Sequence, residues 1–549
     1  MKTLKLLPQK ALFLFFMLLG LHSISQNIEK DVDAILSEQY EHNGPGATAL
    51  IYKDGEVIYR KGFGYANLEL DVKMQPEHVF EIGSITKQFT AIAILMLEEQ
   101  GKLKVEDEIT KYIPDYPTNG KTITIHHLLN HTSGIKSYTA IESFREQARV
   151  DFTPTELIDV FKDQPMDFNP GEQYRYNNSG YVILGYIIEL ITKDSYEAFI
   201  QKNFFDKLGM KNTYYGSHEK IIKNRAYGYQ NRDGYVNADY LSMTLPYAAG
   251  AIISNVDDLL IWQKALNNHE LISKESYEKA INGSSLNNGD YIGYGYGLQA
   301  GKIQGSKSIT HGGGIFGYTT QGIYLPEEDV FVSVLTNCDC SSPGNYATKI
   351  AAIVIGKPFP DIKDAIVLNE SELNKWIGAY EFPNGAIRHI TVENGKVFSQ
   401  RENSTKFEIF PLSSTRFIFD GGNIEYNFSM VNGKKQAIFK TEEVAIGKEI
   451  DKAPPVAKTE INLSEEVLKG YVGKYQLTPE FAIEIKVNNG KIYGQATGQG
   501  PNEIFAEAKD KFFLKVVAAE LIFGRDESGN VNMVTLNQGG QQISGKKVE

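Results

Sequence analysis

The stretch 80-FEIGSITKQFTAIAILMLEE-99 places a hydroxyl and an amine at the start of a strongly apolar helix. Ser84 and Lys87 stand three residues apart, and the residues that follow are apolar nearly all round, as in a helix buried inside a large domain. Residues i and i+3 share one helix face, so the Lys87 amine can reach the Ser84 hydroxyl. Because lost hydration lowers the pKa of a lysine, the stretch predicts a base beside a nucleophile.

The Ser-x-x-Lys spacing alone is not specific. It also begins at Ser133, Ser217, Ser276 and Ser544. At Ser84 the alternative interpretation is a serine that caps the helix and a lysine that extends to solvent. The apolar helix that follows distinguishes Ser84 from the other four copies.

The N-terminus is typical of a secretory signal peptide over residues 1–25. Lys2, Lys5 and Lys10 precede the apolar run 11-ALFLFFMLLGL-21, and small residues follow it. The run is too short for a good membrane span, no cysteine follows it for a lipid anchor, and no later stretch is long enough to cross a bilayer. We therefore expect an exported protein, periplasmic or secreted.

The net charge excludes two classes of binding partner. The formal net charge is −12, and removal of the three signal lysines would make it more negative, so nucleic acid and anionic membranes are poor partners. The sequence does not tell whether the protein self-associates.

Cys338 and Cys340 are the two cysteines. Because neighbours this close bridge only with strain, we expect unpaired thiols, and we expect no metal or cofactor.

The chain of 549 residues predicts about three domains. Over 26–360, an amphipathic helix at 28–40 is followed by a hairpin at 48–67 with an Asp54-Gly55 turn, helices to about residue 285, and strands at 318–336. Strands at both ends of a helical region predict one sheet that both termini complete, with helices packed on it. The expected fold class of this block is α+β.

An internal repeat with a constant offset of 95 residues follows. Gly378 matches Gly473 and Tyr380 matches Tyr475, and the register continues without a gap to Phe417 and Phe512. Each copy has Asn-Gly between alternating strands, a hairpin signal. We predict two small all-β domains, 361–450 and 463–549, joined by a linker at 451–462.

The stretch 169-NPGEQYRYNNSGYVILGYIIE-189 could complete a site around Ser84. Tyr176 and Asn178 are two residues apart before an apolar helix, so in an extended segment both side chains point the same way. The alternative is a tyrosine that only caps a loop.

In 309-ITHGGGIFGYTT-320, three glycines after His311 let a strand edge approach a ligand closely. Its backbone N–H groups could then form an oxyanion hole. The alternative is a glycine-rich turn that leads into a hairpin.

Three histidines in 123-ITIHHLLNHTSGI-135 suggest a metal site. His127 and His131 are four residues apart, but no glutamate lies between them in the zincin position. A helix with structural histidines that ends at Ser133-Gly134 is the preferred interpretation.

SITK, YNN and HGG, in this order and at these wide spacings, resemble the serine β-lactamase and penicillin-binding protein superfamily. The likeness is to the branch with class C β-lactamases, D-amino-acid-specific peptidases and esterases, and FEIGSITKQFTA, TIHHLLNHTSGI, AAGAIISNVDDL and YGYGL extend it over about 45–340. The β repeats resemble the lipocalin-like C-terminal domains that some members carry.

The resemblance implies a role for each matching residue. Ser84 would be the acylated nucleophile, Lys87 the amine that deprotonates it, and Tyr176 the group that passes the proton to the leaving group. Substrate would contact Asn178, His311 and Gly313. The N–H groups of Ser84 and Gly314 would form the oxyanion hole.

The third motif departs from the family, which usually has Lys-Thr-Gly or Lys-Ser-Gly there. With an ordinary pKa near 6.5, His311 would keep little of the positive charge that holds a substrate carboxylate. We therefore expect an exported serine hydrolase for peptide-like amides, including those of D-amino acids, or for esters. The alternatives are a β-lactamase or D-alanyl-D-alanine carboxypeptidase, and a penicillin-binding sensor that is acylated without turnover.

Overall fold

The computed structural model describes residues 28–40, 43–141, 144–402, 404–441, 444–455, 460–478, 481–488, 490–497, 500–517, 519–538 and 541–548. The predicted signal peptide lies outside these residues, as does part of the predicted linker. Among the described helices, none is long and apolar enough to span a bilayer. The chain separates into two compact units, one ending at Pro358 and the other beginning at Phe359.

The first unit contains twelve α-helices and fifteen strands in its described residues. The helices are α1 (28–39), α2 (Thr86–Glu99), α3 (Ile125–Leu129), α4 (Phe144–Gln147), α5 (Pro154–Phe161), α6 (Asn178–Thr192), α7 (Tyr196–Ile200), α8 (Asp206–Leu208), α9 (Tyr247–Gly250), α10 (Val256–Asn267), α11 (Lys274–Ile281) and α12 (Pro343–Val354). The strands are β1 (Ala47–Lys53), β2 (Glu56–Phe63), β3 (Tyr65–Asn67), β4 (Val72–Lys73), β5 (Phe80–Glu81), β6 (Tyr214–Tyr215), β7 (Tyr229–Asn231), β8 (Tyr235–Asn237), β9 (Ile252–Ser254), β10 (Ser284–Ser285), β11 (Tyr291–Ile292), β12 (Gln299–Ile303), β13 (Ser306–Ile315), β14 (Tyr318–Leu325) and β15 (Val330–Thr336).

One antiparallel sheet organises this unit, with the strand order β12-β13-β14-β15-β1-β2. The predicted joining of the two ends of the unit is confirmed, since β1 pairs with β15 along its whole length, from Ala47 opposite Thr336 to Lys53 opposite Val330. Every residue of β15 is buried, as is nearly all of β1. The sheet is therefore covered on both faces, and α10 and α12 pack against its central strands.

Helix α6 is the centre of the helical part of the unit. It contacts α2, α3, α5 and α9, and its residues from Ser179 to Gly185 are all buried. The apolar helix predicted after Ser84 is also confirmed, because α2 is buried continuously from Thr86 to Leu97. The N-terminal ends of two buried helices, α2 and α6, thereby meet near the β13 edge of the sheet.

Asn337 joins the end of β15 to two other segments. Its fully buried carboxamide accepts a hydrogen bond from Gly46 N–H at 2.6 Å and donates to the carbonyls of Tyr65 at 3.1 Å and Tyr227 at 2.8 Å. One side chain thus satisfies three backbone groups that burial would leave without water.

The expectation of unpaired thiols is wrong. Cys338 and Cys340 form a disulfide within the turn that follows β15. The turn is also held by neighbours, since Thr319 and Thr336 donate hydrogen bonds to the Cys338 carbonyl. Two cysteines this close in sequence are hard to bridge in regular backbone. The turn after β15 instead brings the Cα atoms of Cys338 and Cys340 to 5.1 Å from each other, a separation that a disulfide can span.

The second unit consists of two closed eight-stranded antiparallel barrels, each preceded by a short helix. In barrel 1, α13 (Glu370–Asn374) precedes β16 (Gly378–Glu381), β17 (Ile387–Glu393), β18 (Lys396–Arg401), β19 (Lys406–Pro411), β20 (Arg416–Ile418), β21 (Glu425–Val431), β22 (Lys434–Lys440) and β23 (Val444–Ile450). In barrel 2, α14 (Glu465–Lys469) precedes β24 (Gly473–Thr478), β25 (Phe481–Asn488), β26 (Lys491–Ala496), β27 (Asn502–Ala508), β28 (Lys511–Leu514), β29 (Ala519–Arg525), β30 (Val531–Gln538) and β31 (Gln541–Lys547).

The predicted repeat corresponds to these two barrels, which fit the lipocalin-like architecture expected from the sequence. Equivalent residues make equivalent contacts: Tyr380 donates to the Trp376 carbonyl at 2.8 Å, and Tyr475 donates to the Tyr471 carbonyl at 2.7 Å. In barrel 1 the predicted Asn-Gly hairpin has positive φ at both Asn394 and Gly395, as the mirror-image type I turn requires. The structure is therefore α+β in its first unit and all-β in its second.

We expect Asn337→Ala to lower the free energy of unfolding of the first unit by about 3 kcal/mol or more, because several buried backbone groups lose their partner. Thermal denaturation of the full chain, followed by circular dichroism, measures the effect. The exposed Asn345→Ala is the control and should melt as the wild type does. Equal melting temperatures for the two variants would contradict the role of Asn337.

Candidate active site

Ser84 lies in a single 3₁₀ turn, Gly83–Ile85, directly before α2. Gly83 has a φ of 51°, which favours glycine. A Cβ atom at Gly83 would also lie 2.9 Å from the backbone N of Gly314. Glycine at this position therefore lets the Ser84 turn pack directly against β13.

The glycine segment of β13 meets the Ser84 turn at very short range. A Cβ atom on Gly313 would lie 2.0 Å from the carbonyl oxygen of Ile82, and Thr320 donates to that same oxygen at 3.0 Å. Strand β12 pairs with β13 only as far as Thr310. Beyond that point the outer edge of β13 has no strand neighbour among the described residues, so its backbone groups can face a ligand.

The amine of Lys87 is fully buried beside Ser84. Its Nζ lies 3.1 Å from Ser84 Oγ, 2.8 Å from Asn178 Oδ1 and 2.8 Å from the Ala249 carbonyl. Burial lowers the pKa of Lys87 well below its usual value. In the neutral form that burial favours, the amine keeps two N–H donors for the two carbonyl oxygens and one lone pair for the Ser84 hydroxyl.

The start of α6 is held by a cap that also fixes the facing loop. Asn177 accepts from Gly180 N–H at 2.9 Å and donates to the Ile135 carbonyl. Asn178 begins the helix, and its Nδ2 donates to Thr139 Oγ1 at 3.1 Å. Its two carboxamide ends therefore contact different elements, since Oδ1 accepts from Lys87.

Tyr176 lies on the open side of Ser84. Its ring centroid is 4.8 Å from Lys87 Nζ, and 37% of the residue remains exposed. Burial at the hydroxyl end raises the pKa of Tyr176, and a hydrogen bond with Ser84 acts in the opposite direction. Burial thus favours the uncharged forms of both the Tyr176 phenol and the Lys87 amine, which lie together beside the Ser84 hydroxyl.

His311 is buried and faces away from solvent, with 5% of the residue exposed. Its Nδ1 donates to the Gly312 carbonyl at 2.6 Å, which leaves Nε2 to accept from the Tyr294 hydroxyl at 2.8 Å. Burial, and then the proximity of Lys87, lower the pKa of His311 to about 4. This pKa lies below the ordinary value near 6.5 and agrees with the expectation that His311 keeps little positive charge at neutral pH.

Comparison with known proteins identifies the family. The model of the family described as Beta-lactamase matches residues 24–354, and a second, described as a domain of unknown function (DUF3471), matches residues 457–547. The chain belongs to the β-lactamase family. Penicillin-binding protein 4* of Bacillus subtilis (strain 168) is 30% identical over 434 residues, covering 74% of this chain and 95% of that protein.

Solved structures agree with this assignment. The octameric penicillin-binding protein homologue from Pyrococcus abyssi is similar with a TM-score of 0.55 and 30% identity, over 77% of this chain and 99% of that one. A D-stereospecific amidohydrolase from Streptomyces sp. gives a TM-score of 0.52 at 24% identity, over 61% of this chain and 99% of that one. The second likeness shows the fold alone.

In this β-lactamase-family chain the histidine-rich helix is shorter than the sequence predicts. Helix α3 ends at Leu129 rather than at Ser133-Gly134. His131 follows the helix with a φ of 64°. The backbone thus turns the His131 ring away from the helix axis and inward.

His131 and Tyr294 are site neighbours that the sequence analysis did not assign. The buried His131 ring centroid lies 4.3 Å from that of Tyr176 and 4.5 Å from that of Tyr294, and its Nδ1 accepts from Asn177 N–H at 3.1 Å. Tyr294 in turn contacts His311. His131 begins the segment HTSGI and Tyr294 begins YGYGL. Both segments resemble the family, and that resemblance was the signal that could have indicated these two rings.

We expect Gly313→Ala to slow acylation of Ser84 about 100-fold, because the added methyl would displace the Ser84 turn from β13 and misplacement near 1 Å has effects of that size. The rate of labelling by a fluorophosphonate measures it. Gly322→Ala on β14 is the matched control, since a Cβ atom there makes only ordinary contacts, the nearest 3.8 Å away on the Phe331 ring. Equal labelling rates for the two variants would contradict this packing argument.

With a pKa of about 4, His311 should stay neutral from pH 5.5 to pH 8 and give no limb in the pH profile of kcat/KM. His311→Gln should therefore lower kcat/KM without changing the shape of the profile for an uncharged substrate. A limb in this range that the wild type shows and His311→Gln lacks would mean that His311 titrates there.

Proposed function

We propose that this chain is an exported serine hydrolase that forms an acyl-enzyme on Ser84. The observation that carries the proposal is the fully buried Lys87 amine, which lies 3.1 Å from Ser84 Oγ with its other polar contacts on carbonyl oxygens. Export is proposed on the signal peptide pattern of residues 1–25.

The first step is acylation. Ser84 Oγ attacks the substrate carbonyl carbon while Lys87 Nζ takes the hydroxyl proton, and the carbonyl oxygen becomes an oxyanion between the N–H groups of Ser84 and Gly314. The carbon–nitrogen or carbon–oxygen bond then breaks. Tyr176 donates the proton that the leaving amine or alcohol requires, and it recovers one from Lys87.

The second step is deacylation. Water attacks the ester carbon and loses its proton to the Tyr176–Lys87 pair, and Ser84 leaves with a proton restored to Oγ. The products are a carboxylic acid and free enzyme. The proximity of Tyr176 and Lys87 to Ser84 supports turnover over a sensor that is acylated once, because the pair that takes the proton of the attacking water lies at the ester.

The substrate class follows from the neutral, internally bonded His311. Since both its ring nitrogens are occupied by Tyr294 and Gly312, it gives the site no cation for a substrate carboxylate. This favours peptide-like amides, including those of D-amino acids, and esters that lack a carboxylate beside the scissile bond. Asn178 and Gly313 are proposed to contact the substrate backbone.

A β-lactamase or D-alanyl-D-alanine carboxypeptidase is the second candidate. The 30% identity to a penicillin-binding protein over most of both chains favours it. Both candidates use the same acyl-enzyme, and they differ in whether a substrate carboxylate must be held.

Fluorophosphonate labelling tests the nucleophile. The wild type should be labelled and Ser84→Ala should not, because no other Ser-x-x-Lys copy should react. Ser217→Ala is the matched control: its motif partner Lys220 is ion-paired with Glu197, so this variant should label as the wild type does. Retained labelling of Ser84→Ala would exclude Ser84 as the nucleophile.

The intact-protein mass, which reports an adduct, and the remaining substrate, which reports turnover, are followed over time to separate the two candidates. A D-aminoacyl amide or an ester should be consumed by the wild type, while a penicillin should give little or no adduct. Rapid penicillin turnover would replace the leading proposal by the second candidate. A penicillin adduct that persists, with no amide or ester consumed, would indicate the sensor.

A further inference from the structure

Two arginines face each other across neighbouring strands at one end of barrel 1. Arg388 on β17 is directly opposite Arg401 on β18, and on its other side Arg388 is opposite Tyr380. Directly opposed residues point to the same face of a sheet. Because Tyr380 is fully buried in the barrel core, both arginines lie on the lumenal side.

The Arg388 guanidinium rests on aromatic rings. It lies 4.0 Å from the ring centroid of Phe439 and 6.0 Å from that of Phe382. It also lies near the Tyr426 hydroxyl, whose pKa is raised by burial and lowered by the Arg388 charge, and which is 2.9 Å from Ser399 Oγ. Such stacking holds a guanidinium in place and leaves its N–H edge available to a planar anion.

Neither arginine forms an ion pair with a carboxylate in the described part of barrel 1. The nearby Glu402 binds His389 and Lys452, and Glu425 binds Arg416 and Lys440. Like charges that are directly opposed across strands destabilise a sheet. An anion held between the two guanidiniums would remove that repulsion.

Barrel 2 shows that the fold does not need these charges. In its matching register Ile483 is opposite Ala496, where barrel 1 has Arg388 opposite Arg401. The aromatic positions around Arg388 are likewise aliphatic in barrel 2, where Phe382, Tyr426 and Phe439 correspond to Leu477, Leu521 and Leu536. At this end, therefore, barrel 2 is filled by aliphatic side chains, whereas barrel 1 has two arginines and aromatic rings.

This end of barrel 1 is open to solvent. Phe407 is directly opposite Ser399, whose hydroxyl bonds Tyr426 inside the barrel, so Phe407 also faces inward. Nevertheless 53% of Phe407 is exposed. Phe419, which contacts both Phe407 and Phe439, is only partly buried. An apolar group could therefore enter and lie against these rings.

We propose that barrel 1 binds a small organic carboxylate with an apolar body at this end. The carboxylate lies between the Arg388 and Arg401 guanidiniums, each of which can donate two parallel hydrogen bonds. The aryl or alkyl group packs on Phe382, Phe407 and Phe439. Binding of such an acid does not depend on Ser84, although acids of this class are also what hydrolysis of an acyl-enzyme releases.

Isothermal titration of the full-length protein with hydrocinnamate tests the site. The variant Arg388→Ile with Arg401→Ala carries the residues that barrel 2 has at these positions, and it should bind at least about tenfold more weakly because the charged hydrogen bonds are gone. Hydrocinnamamide, which lacks the charge, should bind the wild type at least about tenfold more weakly than the acid. The control Lys434→Ala with Lys448→Ala removes the same net charge from exposed positions of barrel 1 and should bind as the wild type does.

A thermal melt of the same proteins reports folding. The Arg388→Ile, Arg401→Ala variant should melt at the wild-type temperature or above, because the repulsion is removed. If it melts lower, Arg401→Ala alone, at the exposed rim, replaces it in the titration. Absence of binding by the wild type, equal affinity for acid and amide, or unchanged affinity in the arginine variants would each overturn the proposal.

Discussion

The desolvation of one amine is the constraint on which the active site depends. An ammonium group removed from water without a carboxylate partner is strongly disfavoured, so Lys87 is held in its neutral form. Its Nζ lies within hydrogen-bond distance of three oxygens, those of Asn178, Ala249 and Ser84, and in the neutral form the first two accept its protons while the lone pair serves the Ser84 hydroxyl. Helices α2, α6 and α9 must all be in place for this arrangement.

A second constraint is steric. The Ser84 turn and the glycines of β13 approach so closely that a methyl group at Gly83 or Gly313 would overlap backbone atoms of the other segment. This packing brings the free edge of β13 to the nucleophile. The sheet that carries β13 is completed by the first and last strands of its unit, and Asn337 joins its end to two further segments. The geometry at Ser84 is therefore linked to closure of the whole unit.

The two barrels share one architecture but differ in the residues at one end. Both keep the tyrosine that donates to a carbonyl four residues earlier, and both keep the strand order. They differ at one end, where barrel 2 has aliphatic residues and barrel 1 has opposed arginines on aromatic rings. Repulsion between like charges is a cost that the fold itself does not require, so a role in binding explains the arginines better than a role in folding.

By itself the sequence determined the local features and the repeat: the buried helix after Ser84, the i, i+3 placement of Lys87, the hairpin at Asp54-Gly55 and the offset of 95 residues. These follow from periodicity and spacing, which act over a few residues or recur along the chain. Only the tertiary structure decided the state of His311, the inward turn of His131 beside Tyr176, and the Cys338–Cys340 disulfide. The physical reason is that a pKa depends on which distant groups exclude water, and the direction of a side chain after a helix depends on the backbone turn there. Neither is encoded in the spacing of neighbouring residues.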